Sequence, residues 1–103
     1  RLRICRGDCT GFRAMRLSDA SGIDMVRDLA ISGDALYVTN ALGVYRASLD
    51  ALSNPSSGPE IFTRLTTHGG ERLRASGTDL FVSRAEPSSA GAGVAQAIYR
   101  VNP

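Results

Sequence analysis

The sequence predicts an all-β chain assembled from four-stranded antiparallel meanders. Three observations carry this expectation. Apolar residues alternate with a period of two while helical spacing is scarce. Short clusters of Gly, Asn, Asp, Ser and Pro separate runs of strand length. A stretch that begins at Leu29 recurs, without a gap, from Leu73, an offset of 44 positions.

The elements follow in chain order. Arg1 to Ile4 reads as the end of one strand, and Phe12 to Leu17 as the next. Ala20 to Arg27 has the composition of a helical turn, interrupted by Gly22. Asp28 to Ser32 is a short strand and Gly33-Asp34 a turn. Ala35 to Thr39 is a second strand rich in β-formers, closed by Asn40. Gly43 to Leu49 is a third, Ser53 to Pro59 a loop, and Glu60 to Leu65 a fourth strand.

The meander then restarts. Leu29-Ala30-Ile31-Ser32-Gly33-Asp34-Ala35-Leu36-Tyr37-Val38-Thr39 aligns with Leu73-Arg74-Ala75-Ser76-Gly77-Thr78-Asp79-Leu80-Phe81-Val82-Ser83. Val44-Tyr45-Arg46-Ala47 aligns with Ile98-Tyr99-Arg100-Val101 at an offset of 54. The difference of ten residues falls in a Ser/Gly/Ala/Pro stretch that reads as a lengthened hairpin loop. Upstream, Phe12 to Leu17 resembles Glu60 to Leu65.

A period in the forties with four strands per unit is the pattern of β-propeller blades. A twisted sheet with two apolar faces covers them only by stacking on neighbours. The expected organisation is therefore about two blades plus part of a third. Residues 1–19 end a preceding blade with its third and fourth strands, and 20–67 form a complete blade. Residues 68–103 supply the first three strands of the next, with a long hairpin loop at 84–95. A β-sandwich is the alternative, because short strands at even spacing also suit it.

The run from Leu29 to Asn40, followed by Gly43 to Leu49, resembles the repeats of secreted myxobacterial proteins related to the YWTD and NHL-type propellers. Tyr37-Val38-Thr39-Asn40 stands where those repeats carry an aromatic-centred strand, here without its Trp. Cys5-Arg6-Gly7-Asp8-Cys9 resembles the Cys pair those proteins often place between third and fourth strands. The resemblance implies a binding or scaffolding domain with no fixed catalytic residues. It also implies a secreted, periplasmic or cell-surface location.

Composition sets further bounds. The apolar share of 43% is that of a folded chain. No apolar run approaches the roughly 20 residues of a membrane helix, so no membrane span is expected. All twelve basic residues are Arg, but they are scattered among ten acids instead of forming the basic stripe of a nucleic-acid groove. Nucleic acid is thus not an expected partner. The chain opens on Arg1 and not Met, so its natural start is expected upstream.

Cys5 and Cys9 read as a small disulfide stapling a turn, with free thiols or a metal as the alternatives. Arg6-Gly7-Asp8 between them is the tripeptide that integrins recognise on constrained loops, a motif short enough to occur by chance. His68, with Gly69-Gly70, lies where one unit hands over to the next, a place that can line a binding face. No nucleophile elbow, phosphate loop or carboxylate pair can be picked out, so no cofactor and no catalysis are expected of this segment. The expected role is protein–protein binding or scaffolding, completed by further blades, by a partner chain or by a homo-oligomer. The alternative is a share in an enzyme or sugar-binding propeller whose site lies mostly elsewhere. Tyr45 and Tyr99 fall at equivalent repeat positions, which predicts a structural role for both.

Overall fold

The computed structural model describes residues 2–5, 12–15, 25–54, 56–88, 91 and 93–102, the first two segments as backbone only. The described residues form an all-β chain of three antiparallel sheets. The first sheet pairs β1 (Leu2–Cys5) with β2 (Phe12–Met15). The second is a meander of β3 (Asp28–Ser32), β4 (Ala35–Asn40), β5 (Gly43–Ser48) and β6 (Thr63–Thr66). The third is a meander of β7 (Arg72–Ser76), β8 (Asp79–Pro87) and β9 (Val94–Val101). The expected helical turn at 20–27 falls mostly outside the described residues; 25–27 are not helical.

The sequence repeat is a repeat of register. Leu29 pairs with Val38 and Leu73 with Val82, and Ile31–Leu36 matches Ala75–Leu80. On the next strand, Val38–Tyr45 matches Val82–Tyr99 and Leu36–Ala47 matches Leu80–Val101. The entry to each sheet repeats as well: Arg27 N–H donates to the Thr39 carbonyl, and Glu71 N–H to that of Ser83, each at 2.8 Å. Both first hairpins turn on a glycine in the left-handed region, Gly33 at φ 60° and Gly77 at φ 59°. A side chain there costs roughly 1 kcal/mol, which fixes glycine at both positions.

Three expectations about the second and third sheets need correction. The fourth strand begins at Thr63, not Glu60, and the third ends at Ser48. The Ser48 hydroxyl accepts from Ala51 N–H at 3.0 Å and so caps a short helix, α1 (Leu49–Ser53). Pro59 then opens a 3-10 turn, Pro59–Ile61, where its missing N–H costs no ladder bond. The stretch 84–95 is likewise not a long loop. The β8–β9 ladder runs on through Ala85–Gln96, Glu86–Ala95 and Pro87–Val94. Side chains hold this extension: Arg84 Nε lies 3.4 Å from Glu86 Oε1, and the Tyr99 hydroxyl donates to the same carboxylate.

Every residue of β4 is buried, and both faces of the second sheet are covered around it, while Leu29 and Ile31 of β3 remain exposed on the Val38 face. One face carries Leu36, Val38, Tyr45 and Ala47, covered by Leu52 of α1 and by Phe62. The other carries Ala35, Tyr37 and Val44, packed against Leu73, Leu80, Val82 and Val101 of the third sheet. Each such large side chain removed from water contributes about 1.5–3 kcal/mol. The chain passes between the sheets through Gly69-Gly70. A Cβ on Gly69 would lie 1.5 Å from the Asn40 carbonyl oxygen, and one on Gly70 2.2 Å from that of Ser83. The Thr39 hydroxyl, fully buried, accepts from Gly70 N–H at 3.1 Å.

Gly69→Ala is therefore expected to cost about 3 kcal/mol or more, because backbone must move to admit the methyl group. Gly33→Ala, with open space around it but a left-handed backbone, is expected to cost about 1 kcal/mol. Urea unfolding midpoints of the two variants give the comparison.

Candidate functional site

The second and third sheets do not lie parallel. They touch through their first strands, β3 against β7, and through β4 against β7. Outward from there the gap widens into a wedge. At its mouth lies a cleft of about 430 Å³ lined by Thr66, His68, Gly69, Val82, Arg84, Glu86, Tyr99, Arg100 and Val101. A second hollow of about 460 Å³ lies beside Tyr37, Arg46, Thr63 and Leu65, on the face of the second sheet turned toward the third.

The narrow end of the wedge is held by polar contacts. Asp28 Oδ2 accepts from Leu73 N–H at 2.7 Å and from Arg74 Nη1 at 2.8 Å, while Oδ1 accepts from Leu29 N–H at 2.9 Å. Ser32 Oγ donates to the Gly77 carbonyl at 3.1 Å. Leu73 N–H is on the open edge of β7, so the Asp28 carboxylate satisfies a donor that no strand pairs. Desolvation raises the Asp28 carboxyl, but the hydrogen bonds from Leu73, Leu29 and Arg74 outweigh it and leave its pKa below the ordinary value.

Of the residues singled out in the sequence, His68 reaches the cleft. It is exposed at the rim, its backbone N–H donating to Thr66 Oγ1 at 3.2 Å. Cys5 closes β1 opposite Phe12 as backbone, and Arg6, Gly7, Asp8 and Cys9 lie outside the described residues. The sequence reading missed Arg84, Glu86 and Tyr99 as a group. Arg84 and Glu86 share a face of β8 by strand alternation, and the paired register brings Tyr99 to the same face. The only signal that could have found them was alternation continuing past Ser83.

Tyr45 and Tyr99, at equivalent repeat positions, differ in burial. Tyr45 is 1% exposed beneath Leu52 and Phe62, whereas Tyr99 is 44% exposed. The Glu86 carboxylate that accepts the Tyr99 proton raises the phenol above its ordinary value. Among the described residues, no cluster of three or more His, Cys, Asp or Glu could hold a metal ion, and no helix is long and apolar enough to cross a membrane.

No family model, no curated protein and no solved structure matches the chain. The reading of the wedge therefore stands on geometry alone.

Two titrations check the contacts described. Asp28 has a depressed folded pKa, so its stabilisation is complete above the unfolded carboxyl value of about 3.9 and lost as pH falls through the lower folded value. Asp28→Asn is expected to cost about 1 kcal/mol at neutral pH, with the deficit vanishing at the acid end of a pH series of urea melts. Glu86→Gln is expected to shift the Tyr99 titration, followed by ultraviolet difference absorbance, downward toward the free phenol, because the acceptor that favoured the protonated form has lost its charge.

Proposed function

We propose that the chain is a segment of a β-propeller that serves as a binding or scaffolding module and is completed by further repeats. The observation that carries the reading is the direction in which equivalent faces point. Leu36, Val38, Tyr45 and Ala47 in the second sheet match Leu80, Val82, Tyr99 and Val101 in the third by register. Most of the latter set packs on the opposite face of the second sheet, the Ala35–Tyr37–Val44 face. Stacking thus runs front to back. In a face-to-face sandwich of two equivalent sheets, matching faces would meet each other. Front-to-back stacking with first strands close and outer strands apart is the arrangement that fans sheets around an axis. Such stacking is heterologous, so it continues until a ring closes or an end is capped.

The third sheet leaves its own back face uncovered. Ile98 takes the position of Val44 and Phe81 that of Tyr37. Val44 is fully buried and Ile98 is 72% exposed. The back face of the third sheet is on this reading the place where the next repeat seats. The disulfide between Cys5 and Cys9, and with it a secreted, periplasmic or cell-surface setting, belongs to the same proposal.

Light scattering coupled to size exclusion tests it. The isolated chain is expected to self-associate with rising concentration, and Ile98→Arg to suppress that association without loss of β-structure by circular dichroism. A chain that stays monomeric at high concentration, with or without the substitution, would overturn the reading.

A further inference from the structure

We infer that the free edge of β9, together with the cleft beside Tyr99, is the seat of one further strand with an apolar lead-in, of the kind that residues 49–66 supply to the second sheet. The inference rests on the reading that the third sheet is an incomplete copy of the second. It concerns the sheet's edge and front face, not the back face through which the next repeat would stack.

In the second sheet β6 pairs with β5 through Val44–Thr66, Tyr45–Arg64 and Arg46–Thr63. The equivalent residues of β9 are Ile98, Tyr99 and Arg100, and among the described residues β9 has a partner only on its β8 side. Before β6 pairs, the chain lays Leu52 and Phe62 into the cluster around Tyr45 and Ala47. Of the equivalent pair, Val101 is already buried against the second sheet, while Tyr99 stays half-open beside the cleft of about 430 Å³. An open ladder edge and a hollow with an apolar side at Val82, Tyr99 and Val101 thus coincide at Tyr99, and in the second sheet one continuous segment fills both places. The occupant is therefore a strand led in by two apolar side chains, and not a small ligand. An edge of eight residues that carries exposed Val94 and Ile98, with no Pro or Lys, is also a ready template for strand addition.

The spacing can be copied from the second sheet. Val101 takes the position of Ala47, so Asn102 takes that of Ser48, and residues 49–67 can be appended directly after Asn102 in place of Pro103. In this extended chain the amides of β9 from Ile98 to Arg100 are expected to gain tenfold or greater protection from hydrogen exchange. Tyr99 is expected to lose its reactivity toward tetranitromethane. The same tail with its copies of Leu52 and Phe62 replaced by Asp is the control, and is expected to give neither effect. The proposal is overturned if the unsubstituted tail leaves β9 and Tyr99 as open as before, or if the Asp-bearing tail docks equally well. It is also overturned if β9 of the unextended chain pairs with a second copy in a dimer that the tail fails to displace. Docking of the tail is independent of Ile98→Arg, which lies on the opposite face, so failure of this inference and failure of front-to-back stacking give different results.

Discussion

The second sheet is held by covers at the centre of both its faces, and one of the two covers is a three-stranded sheet that repeats its register. A four-stranded meander has two apolar faces, and water penalises each square ångström left open by about 25 cal/mol. Here the back face, Ala35, Tyr37 and Val44, is closed by Leu73, Leu80, Val82 and Val101. Once that contact is set, much else follows. The first strands must approach, so β3 lies against β7. The linker must pass through a narrow gap between Asn40 and Ser83, which admits only Gly69 and Gly70. An open strand edge is brought near Asp28, whose carboxylate takes up the Leu73 N–H. The apolar contact is non-directional; the polar contacts and the glycines give it one orientation.

How much of this was legible in the sequence differs from residue to residue. The register was legible, because Gly33 and Gly77 are required by their left-handed turns and the flanking Leu and Val positions alternate with period two. Side-chain direction then follows from position, and so does the matching of faces. The end of the third strand was not legible, because Ser48 has two uses. As a strand residue it would extend the ladder, and as a cap it closes α1 through Ala51 N–H. The sequence does not rank them; the burial of Leu52 does. The β8–β9 extension was hidden for a similar reason. Ala, Ser, Gly and Pro dominate 85–94, and their local preference is for loop, but Arg84, Glu86 and Tyr99 close side chain to side chain across the ladder. Cross-strand contact outweighed local propensity, as it commonly does in sheets.

The candidate site was legible in one residue only. His68 was placed by its position in the hand-over segment, and the structure sets it at the rim of the cleft. Arg84, Glu86 and Tyr99 come from two strands separated by a hairpin tip, and only the pairing register unites them. The arrangement of that group argues against chemistry of its own. The Arg84 guanidinium and the Tyr99 hydroxyl both spend a donor on Glu86, so the carboxylate is already committed within the fold. A group so engaged braces the hairpin.

The unlike fates of Tyr45 and Tyr99 carry the deepest lesson about how such a repeat is built. The two residues share a position, a pairing partner type and a face, yet one is sealed and the other half-open. Nothing in their own strands accounts for the difference. It arises from α1 and Phe62, an element that follows the third strand in the second sheet. In the second sheet the covers come from later in the chain: α1 and Phe62 on one face and the third sheet on the other. That dependence makes stability a property of neighbours instead of single sheets.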